Sequence, residues 1–440
     1  MGSDPVVIVG GGLAGLSCAV TLKQSGIRAV IVEATDRVGG RVRTDRIDGF
    51  TLDQGFQVLL TAYPTCKRLL DYQALNLRRF EAGALIRTGG RFHTLADPWR
   101  RPTAILATAT NPAGTLADKL RIALIRRKAC RGSIDDLFHR PDIPTIDYLR
   151  QSRFSEPFID RFFRPFIGGV FLDPTLSVSR RMFEFVFRMF AIGDAAVPAD
   201  GMDQIPKQLA GRLDDDQIRL NTTATEIHDD SILLSNGGTL RPRAIVVATE
   251  SDAAARLLDR PMNTDWQQTL NLYYDAPRLP GAPRMLMLGG DVQPGQTDDN
   301  DATIGTAVVI SATAPNYAPA DRSLVSVSVN ISHRQSERSV DDDVLDPDRL
   351  DSIDRQLRGQ LSDWFQTDAE SWRRVAAYAI PFALPRRELD PVNLPLEIDR
   401  TDKSTIPTYV AGDHRRTPSI EGAMSSGVAV AEAILATQSD

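Results

Sequence analysis

Cysteine is scarce in this 440-residue chain: Cys18, Cys66 and Cys130 lie far apart and form no C-x-x-C pair. That argues against a disulfide framework, a zinc site or a dithiol redox centre, and reduced thiols in a cytosolic protein are expected. Histidine is sparse as well, five in all and scattered, so no metal site is expected. No run of 18 or more apolar residues free of charge occurs, which rules out a conventional transmembrane helix. Met1-Gly2-Ser3-Asp4 leads almost directly into an apolar strand without a charged n-region, so no signal peptide is expected. Nor is there a surplus of positive charge. With 51 Lys+Arg against 57 Asp+Glu the net charge is −6, which argues against nucleic acid as a partner.

What is present is an ordinary globular composition, 42% hydrophobic and 25% charged, on a chain long enough to favour two domains. Residues 5–9 (Pro-Val-Val-Ile-Val) read as a buried parallel strand, 13–25 as a helix and 28–33 as the next strand, a βαβ unit. A second piece of this kind lies at 218–249, with a strand over Ile218–Ile227, a hairpin turn at Asn236-Gly237-Gly238 and a buried strand at Ala244–Ala248. A third closes the chain: a strand at Thr408–Ala411, a glycine, then a small-residue helix over Ser419–Ala436.

The intervening segments differ in character. Residues 91–195 are helical in pattern, 265–335 carry strand runs, 291–302 read as a solvated loop and 341–366 as an acidic amphipathic helix. The fold class expected is α/β: a discontinuous Rossmann-like domain with a central parallel sheet, formed by 1–90, 196–260 and 395–440, plus an α+β substrate or cap domain formed by 91–195 and 261–394.

Gly10-Gly11-Gly12-Leu13-Ala14-Gly15 fits G-x-G-x-x-G between a strand and a helix. Gly10 permits the turn, Gly12 lets the backbone approach a pyrophosphate, and Gly15 lets the helix sit close to the strand. The helix N-terminus then faces the phosphates. Glu33, at the end of the second strand, can accept hydrogen bonds from a ribose diol. Arg37-Val38-Gly39-Gly40-Arg41-Val42-Arg43-Thr44 follows, where Arg41 can act as a forked donor to the pyrophosphate.

The stretch Val32–Thr44 resembles the start of the amine oxidase and phytoene desaturase superfamily of flavoenzymes. The resemblance implies FAD, held by Gly10, Gly12, Leu13, Ala14, Gly15, Glu33, Ala34, Gly40 and Arg41, and an amine-oxidase-like two-domain fold. Leu52-Asp53-Gln54-Gly55-Phe56-Gln57 is similar to the family's D-x-G segment, which implies Gly55, Phe56 and Gln57 near the isoalloxazine. Leu220–Ile227 resembles the strand that reads the adenine, with Ala224 at the contact. Val410-Ala411-Gly412-Asp413 and Ser419-Ile420-Glu421-Gly422-Ala423 resemble the C-terminal flavin motif. There the resemblance implies Asp413 on the ribityl chain or phosphate and the Ile420 amide at a flavin carbonyl. Gly412, Glu421, Gly422 and Ala423 belong to the same motif.

The branch of the family is less constrained. Amine oxidases of this group commonly carry a lysine on a strand after the second nucleotide-fold piece; Trp266–Tyr274 has none. Ten of the seventeen phenylalanines lie between Phe154 and Phe190, and they either line a long apolar tunnel or form the core of a cap, or both. Stretches such as Phe166–Phe171, Gly201-Met202 and Ala379–Pro385 are similar to carotenoid-desaturase-like members. These features favour a small apolar, isoprenoid- or carotenoid-like substrate that loses hydride, with oxygen or a quinone as electron acceptor. No catalytic base stands out; Gln57 and Tyr274 are candidates for flanking the flavin ring. An oxygen-using amine or protoporphyrinogen oxidase is the alternative, in which Arg180 and Arg181 would anchor a carboxylate. Residues 115–131 form a basic amphipathic helix that either lies on an anionic membrane surface or covers the cap, so the expected location is cytoplasmic or membrane-peripheral.

Overall fold

The computed structural model describes residues 4–262, 264–291, 302–329, 346–386 and 406–437. Val6–Val9 and Ala29–Val32 are uninterrupted apolar runs because both faces of their sheet are covered, and every residue in them is buried. They sit inside a five-stranded parallel sheet with the order Ile218–Arg219, Ala29–Val32, Val6–Val9, Ala244–Val247, Thr408–Val410. Strands from the beginning, middle and end of the chain thus lie side by side. The helix Leu13–Gln24 packs on the C-terminal helix Ile420–Ala436. Their close approach needs Gly427, where a Cβ would lie 2.0 Å from the Ala14 carbonyl oxygen.

The second sheet has seven strands, in the order Arg373–Pro385, Trp266–Pro277, Arg322–Val329, Ile304–Val309, Leu286–Leu288, Gly83–Thr88 and Arg91–Ala96. All pairs are antiparallel except Leu286–Leu288 with Gly83–Thr88. Side chains alternate across it. Leu270, Leu272, Tyr274 and Ala276 face a core closed by Leu357, Leu361 and Trp364 of the helix Pro347–Phe365. Tyr273 points the other way, into the larger core that includes the phenylalanine-rich helices. The cap on the opposite side consists of Leu116–Ala129, Thr145–Gln151 and the two phenylalanine-rich helices, a π-helical run Ile159–Gly168 and Arg180–Ile192. Pro165 lies inside the π-helical run and has no N–H to give, which breaks the regular α ladder there.

Three sequence readings shift. The single strand expected over Ile218–Ile227 is two, Ile218–Arg219 in the parallel sheet and Ala224–Ile227 in a separate three-stranded sheet. Between them Asn221 has φ +50°, and the Asn221 and Thr222 amides bond back to the Thr35 and Glu33 carbonyls. Gly83–Thr88, grouped above with the dinucleotide-binding unit, pairs into the seven-stranded sheet, and Arg91–Ala96, grouped with the helical stretch, forms its edge strand. The acidic helix is Pro347–Phe365. The solvated loop falls almost entirely outside the described residues, as do 341–345 and 395–405.

Candidate functional site

All five parallel strands point their carboxyl ends the same way, and it is there that an α/β sheet receives ligands. A cavity of about 1130 Å³ begins at these ends. Pockets for drug-sized ligands measure roughly 300–1,000 Å³, so the space suits a dinucleotide together with part of a second molecule. Gly10, Gly12, Leu13 and Ala14 line it after the first strand, Glu33 and Ala34 after the second. Gly40, Arg41, Gly55, Phe56 and Gln57 follow, then Ala224, and from the C-terminal segment Gly412, Asp413, Ile420 and Ala423. Three widely separated regions of the chain, 10–57, 224 and 412–423, therefore meet.

Three of the residues expected to hold the cofactor do not line the cavity. Gly15 is a packing residue, where a Cβ would come within 2.1 Å of the Gly10 carbonyl oxygen. Gly422 is another, with Thr417 O only 1.7 Å from a Cβ position. Glu421 turns away: both its carboxylate oxygens accept from Thr65 N at 3.0 Å, and Oε2 also from Cys66 N at 3.2 Å. It holds the start of the helix Pro64–Leu69, where backbone N–H groups lack helical partners. Burial raises its carboxyl above the ordinary range, against the pull of these donors.

Glu33 is largely buried. Its Oε2 accepts from Gly11 N at 2.7 Å, and Oε1 from Thr35 N at 2.9 Å and Thr35 Oγ1 at 2.7 Å. A carboxylate offers about four acceptor positions, so one is left, on the oxygen nearer the glycine loop. Arg41 is engaged by protein groups rather than presenting an open fork. Its Nη1 donates to Ala383 O at 3.0 Å, its Nη2 to Asp413 at 2.6 Å, and Glu250 lies 3.8 Å from Nε. The guanidinium also rests 5.2 Å from the Trp266 ring centre. Burial, with Asp413 nearby, raises the Glu250 carboxyl against the pull of Arg41.

Two helix N-termini open on the cavity, those of Leu13–Gln24 and Ile420–Ala436. Each offers first-turn amides and the positive end of a helix dipole. Ser419 caps the second, accepting from Gly422 N at 3.0 Å. Gln57 donates to Arg41 O and Gln54 O, while its buried Oε1 has no hydrogen-bond partner among the described residues. An unpaired acceptor at that place suits a ligand carrying N–H or O–H groups, as a flavin and its ribityl chain do.

Tyr274 is not at the site. It is fully buried on the far face of the seven-stranded sheet, with its hydroxyl 2.8 Å from Asp354 Oδ1. Thr269, on the same strand, lines the cavity. Asp53 is also structural. It accepts from Thr44 Oγ1 at 2.6 Å, Met202 N at 2.9 Å and Tyr317 Oη at 2.9 Å, and burial pushes its carboxyl up to about 6. Arg180 stacks on Tyr148 and pairs with Glu184, and Arg181 donates to Arg140 O, so neither side chain is a cavity anchor.

The phenylalanines divide. Phe166, Phe171 and Phe190 line the cavity, whereas Phe154, Phe158, Phe162, Phe163, Phe183 and Phe185 form the packed core behind them. Charged side chains on the cavity wall are Glu33, Arg41, Arg43, Glu250, Arg256 and Asp413, with His414 chargeable. All six, and His414, belong to segments that follow parallel strands. The cap-facing wall, supplied by the cap helices and the seven-stranded sheet, includes Phe166, Val170, Phe171, Val186, Phe190 and Leu286, with hydroxyls at Thr269, Thr306, Ser328 and Tyr378. No charged side chain lines that part among the described residues.

Sequence reasoning missed Ala248, Thr249, Glu250, Ala253 and Arg256 as lining residues. The signal was available, since they end or follow a strand already read as buried, and the carboxyl ends of buried parallel strands form the binding crevice. Tyr63 and Leu60 carried no comparable signal.

A family model described as flavin containing amine oxidoreductase matches residues 13–435. The chain is 30% identical over 188 residues to a coproporphyrinogen III oxidase of Mycobacterium leprae (strain TN), covering 41% of this chain and 40% of that protein. It is 23% identical to a 15-cis-phytoene desaturase of Capsicum annuum, covering 98% of this chain and 77% of that one. Thus the match spans two fifths of the first relative's length. Among solved structures, a putative protoporphyrinogen oxidase from Exiguobacterium sp. 255-15 superposes with a TM-score of 0.70 at 17% identity, covering 99% of both chains.

Proposed function

Because this chain belongs to the flavin-containing amine oxidoreductases, with FAD as cofactor, we propose that it takes hydride from a C–H bond of an apolar, isoprenoid- or carotenoid-like substrate, as a desaturase or dehydrogenase. The uncharged cap-facing wall carries this reading. An ammonium or carboxylate left unpaired in such a wall costs several kcal/mol. A hydrocarbon gains about 0.8 kcal/mol for each buried CH₂.

Bound FAD supplies the hydride acceptor, and oxygen or a quinone is the proposed onward acceptor. The protein's part is to hold and orient. Phe166, Phe171 and Phe190 exclude water from the reacting carbon and fix the chain against the flavin position. The N-terminus of Ile420–Ala436 favours negative charge developing where it points. Hydride departure leaves a strongly acidic cation, so a weak base completes the double bond and no buried carboxylate is required.

The likeness to coproporphyrinogen III oxidases favours a second reading, an oxygen-using porphyrinogen oxidase. One experiment separates them. FAD-loaded protein is mixed without oxygen with a micellar polyene, with a porphyrinogen and with a polyamine, and flavin bleaching is followed with product mass. Bleaching by the polyene, with a product lacking two hydrogens, supports the proposal. Rapid bleaching and aerobic peroxide release with a porphyrinogen or an amine, and none with the polyene, defeats it.

A further inference from the structure

Nine large apolar side chains are exposed among the described residues, and six of them fall within 26 residues of one another: Trp99, Ile105, Leu106, Leu116, Leu120 and Leu124. The helix Leu116–Ala129 explains half of this cluster. Its buried positions are Asp118, Ile125 and Ala129. Leu116, Leu120 and Leu124, spaced by four, form a stripe on the opposite face and are 62%, 62% and 67% exposed. The preceding helix Ile105–Thr110 has no buried residue at all, and Leu106 on it is 76% exposed.

The charge around this stripe is as uneven as its polarity. Residues 99–131 hold eight Lys and Arg against a single acid, Asp118, in a chain whose net charge is −6; Arg100, Arg101 and Arg126 pair with Asp194, Glu81 and Asp97 from outside the stretch, and the others find no acid there but Asp118. Asp118 is used internally, capping its helix through Thr115 and bonding to Ser155. Arg127 is exposed and by helical spacing falls in line with the three leucines; Lys128, at their flank, is exposed too, with its ammonium 5.2 Å from the Tyr148 ring centre. An exposed apolar stripe edged by cations is disfavoured as a free surface in water and matches the boundary between anionic headgroups and acyl chains.

The surface adjoins the cavity. Arg126 of the same helix stacks on Trp99 and donates to Ala191 O at 2.9 Å, at the end of the helix Arg180–Ile192. Val186 and Phe190 of that helix line the cavity, and Ile192, which follows them, is exposed.

We propose that Trp99, Leu106, Leu116, Leu120 and Leu124, with Arg127 and Lys128, dock the protein on an anionic bilayer surface without crossing it. The inference goes beyond the redox chemistry and stands whatever the enzyme oxidises. Its test is sedimentation of FAD-loaded protein with phosphatidylcholine vesicles and with vesicles carrying phosphatidylglycerol. Expected are binding to the anionic vesicles, weakening as salt rises, and roughly tenfold or greater loss in a Leu116→Ser/Leu120→Ser/Leu124→Ser variant. An Arg127→Glu/Lys128→Glu variant, which leaves the leucines in place, loses the preference for anionic vesicles. Flavin absorbance and the urea midpoint, unchanged in both variants, show that the fold is intact. Equal sedimentation of wild type and leucine variant overturns the proposal. So does a wild-type dimer that ignores vesicles and dissociates when the leucines are replaced, because the stripe would then be covered by a second copy.

Discussion

Replacing Arg41 by Met tests whether the site is held together by one ion pair. The change deletes the Nη2 bond to Asp413, 2.6 Å, the Nη1 bond to Ala383 O, 3.0 Å, and the charge resting on Trp266. What remains is a carboxylate on a side chain 5% exposed. Exposed ion pairs contribute about 0–1 kcal/mol, whereas stranding a buried charge costs about 3–5 kcal/mol. Arg41 is itself 28% exposed, so the lower end applies and a loss of about 3 kcal/mol is expected. Asp413→Asn keeps an acceptor but not the charge, and about 1–2 kcal/mol is expected. The double variant leaves no buried charge at position 413, and the Glu250 carboxylate that also loses Arg41 is 42% exposed and stays solvated. It should therefore cost about 3 kcal/mol, less than the sum of the single changes by about 1–2 kcal/mol. Urea unfolding of flavin-free protein is the suitable assay. In a chain of 440 residues unfolding together, 1 kcal/mol moves Tm by only about 1 °C. Additivity within about 0.5 kcal/mol would refute the claim that the two residues act as a unit.

Asp53 gives a pH prediction. Burial raises its folded-state carboxyl from 3.8 to about 6, so the folded protein binds this proton more tightly than the unfolded chain. Its contribution is most favourable below about pH 4 and is lost as pH rises through about 6, a difference of about 3 kcal/mol. Urea midpoints of wild type and Asp53→Asn at pH 5 and 7.5 should show a steeper rise on acidification in the wild type; parallel slopes would contradict it. Tyr274→Phe removes a hydroxyl bonded to Asp354 on the far side of the sheet, so kcat and KM should stay within about twofold while stability falls by about 1 kcal/mol. A large drop in kcat with unchanged stability would restore Tyr274 to the site. Gly427→Val places a Cβ 2.0 Å from Ala14 O, which the helix pair cannot absorb without moving apart. The purified variant should retain little flavin, read from the ratio of visible to ultraviolet absorbance, and full retention would show that the contact yields.

Local chemistry made much of the cofactor site legible. Gly10, Gly12 and Glu33 line the cavity where their local setting puts them, because a strand, a tight turn and a helix start lie within one short stretch. The same holds for Gly412, Asp413 and Ile420, which stand between a strand and a helix N-terminus. Glu421 misled because the residue beside a helix start can face either way. Only the packing of Pro64–Leu69 against it turned its carboxylate from the cavity.

The sequence by itself determined the βαβ start, the parallel strands, the binding loop and the separate provenance of the pieces that meet there. Tertiary structure decided which side of each element counts. Tyr273 and Tyr274 are neighbours of one residue type, yet their strand's alternation sends one toward the cap core and the other to the far face. Ten clustered phenylalanines could not announce that Phe166, Phe171 and Phe190 would border the cavity while the others filled the core behind. Periodicity is a property of one element, and it records that a face is apolar. Whether that face meets a core, a cavity or a bilayer depends on what the rest of the chain places opposite it.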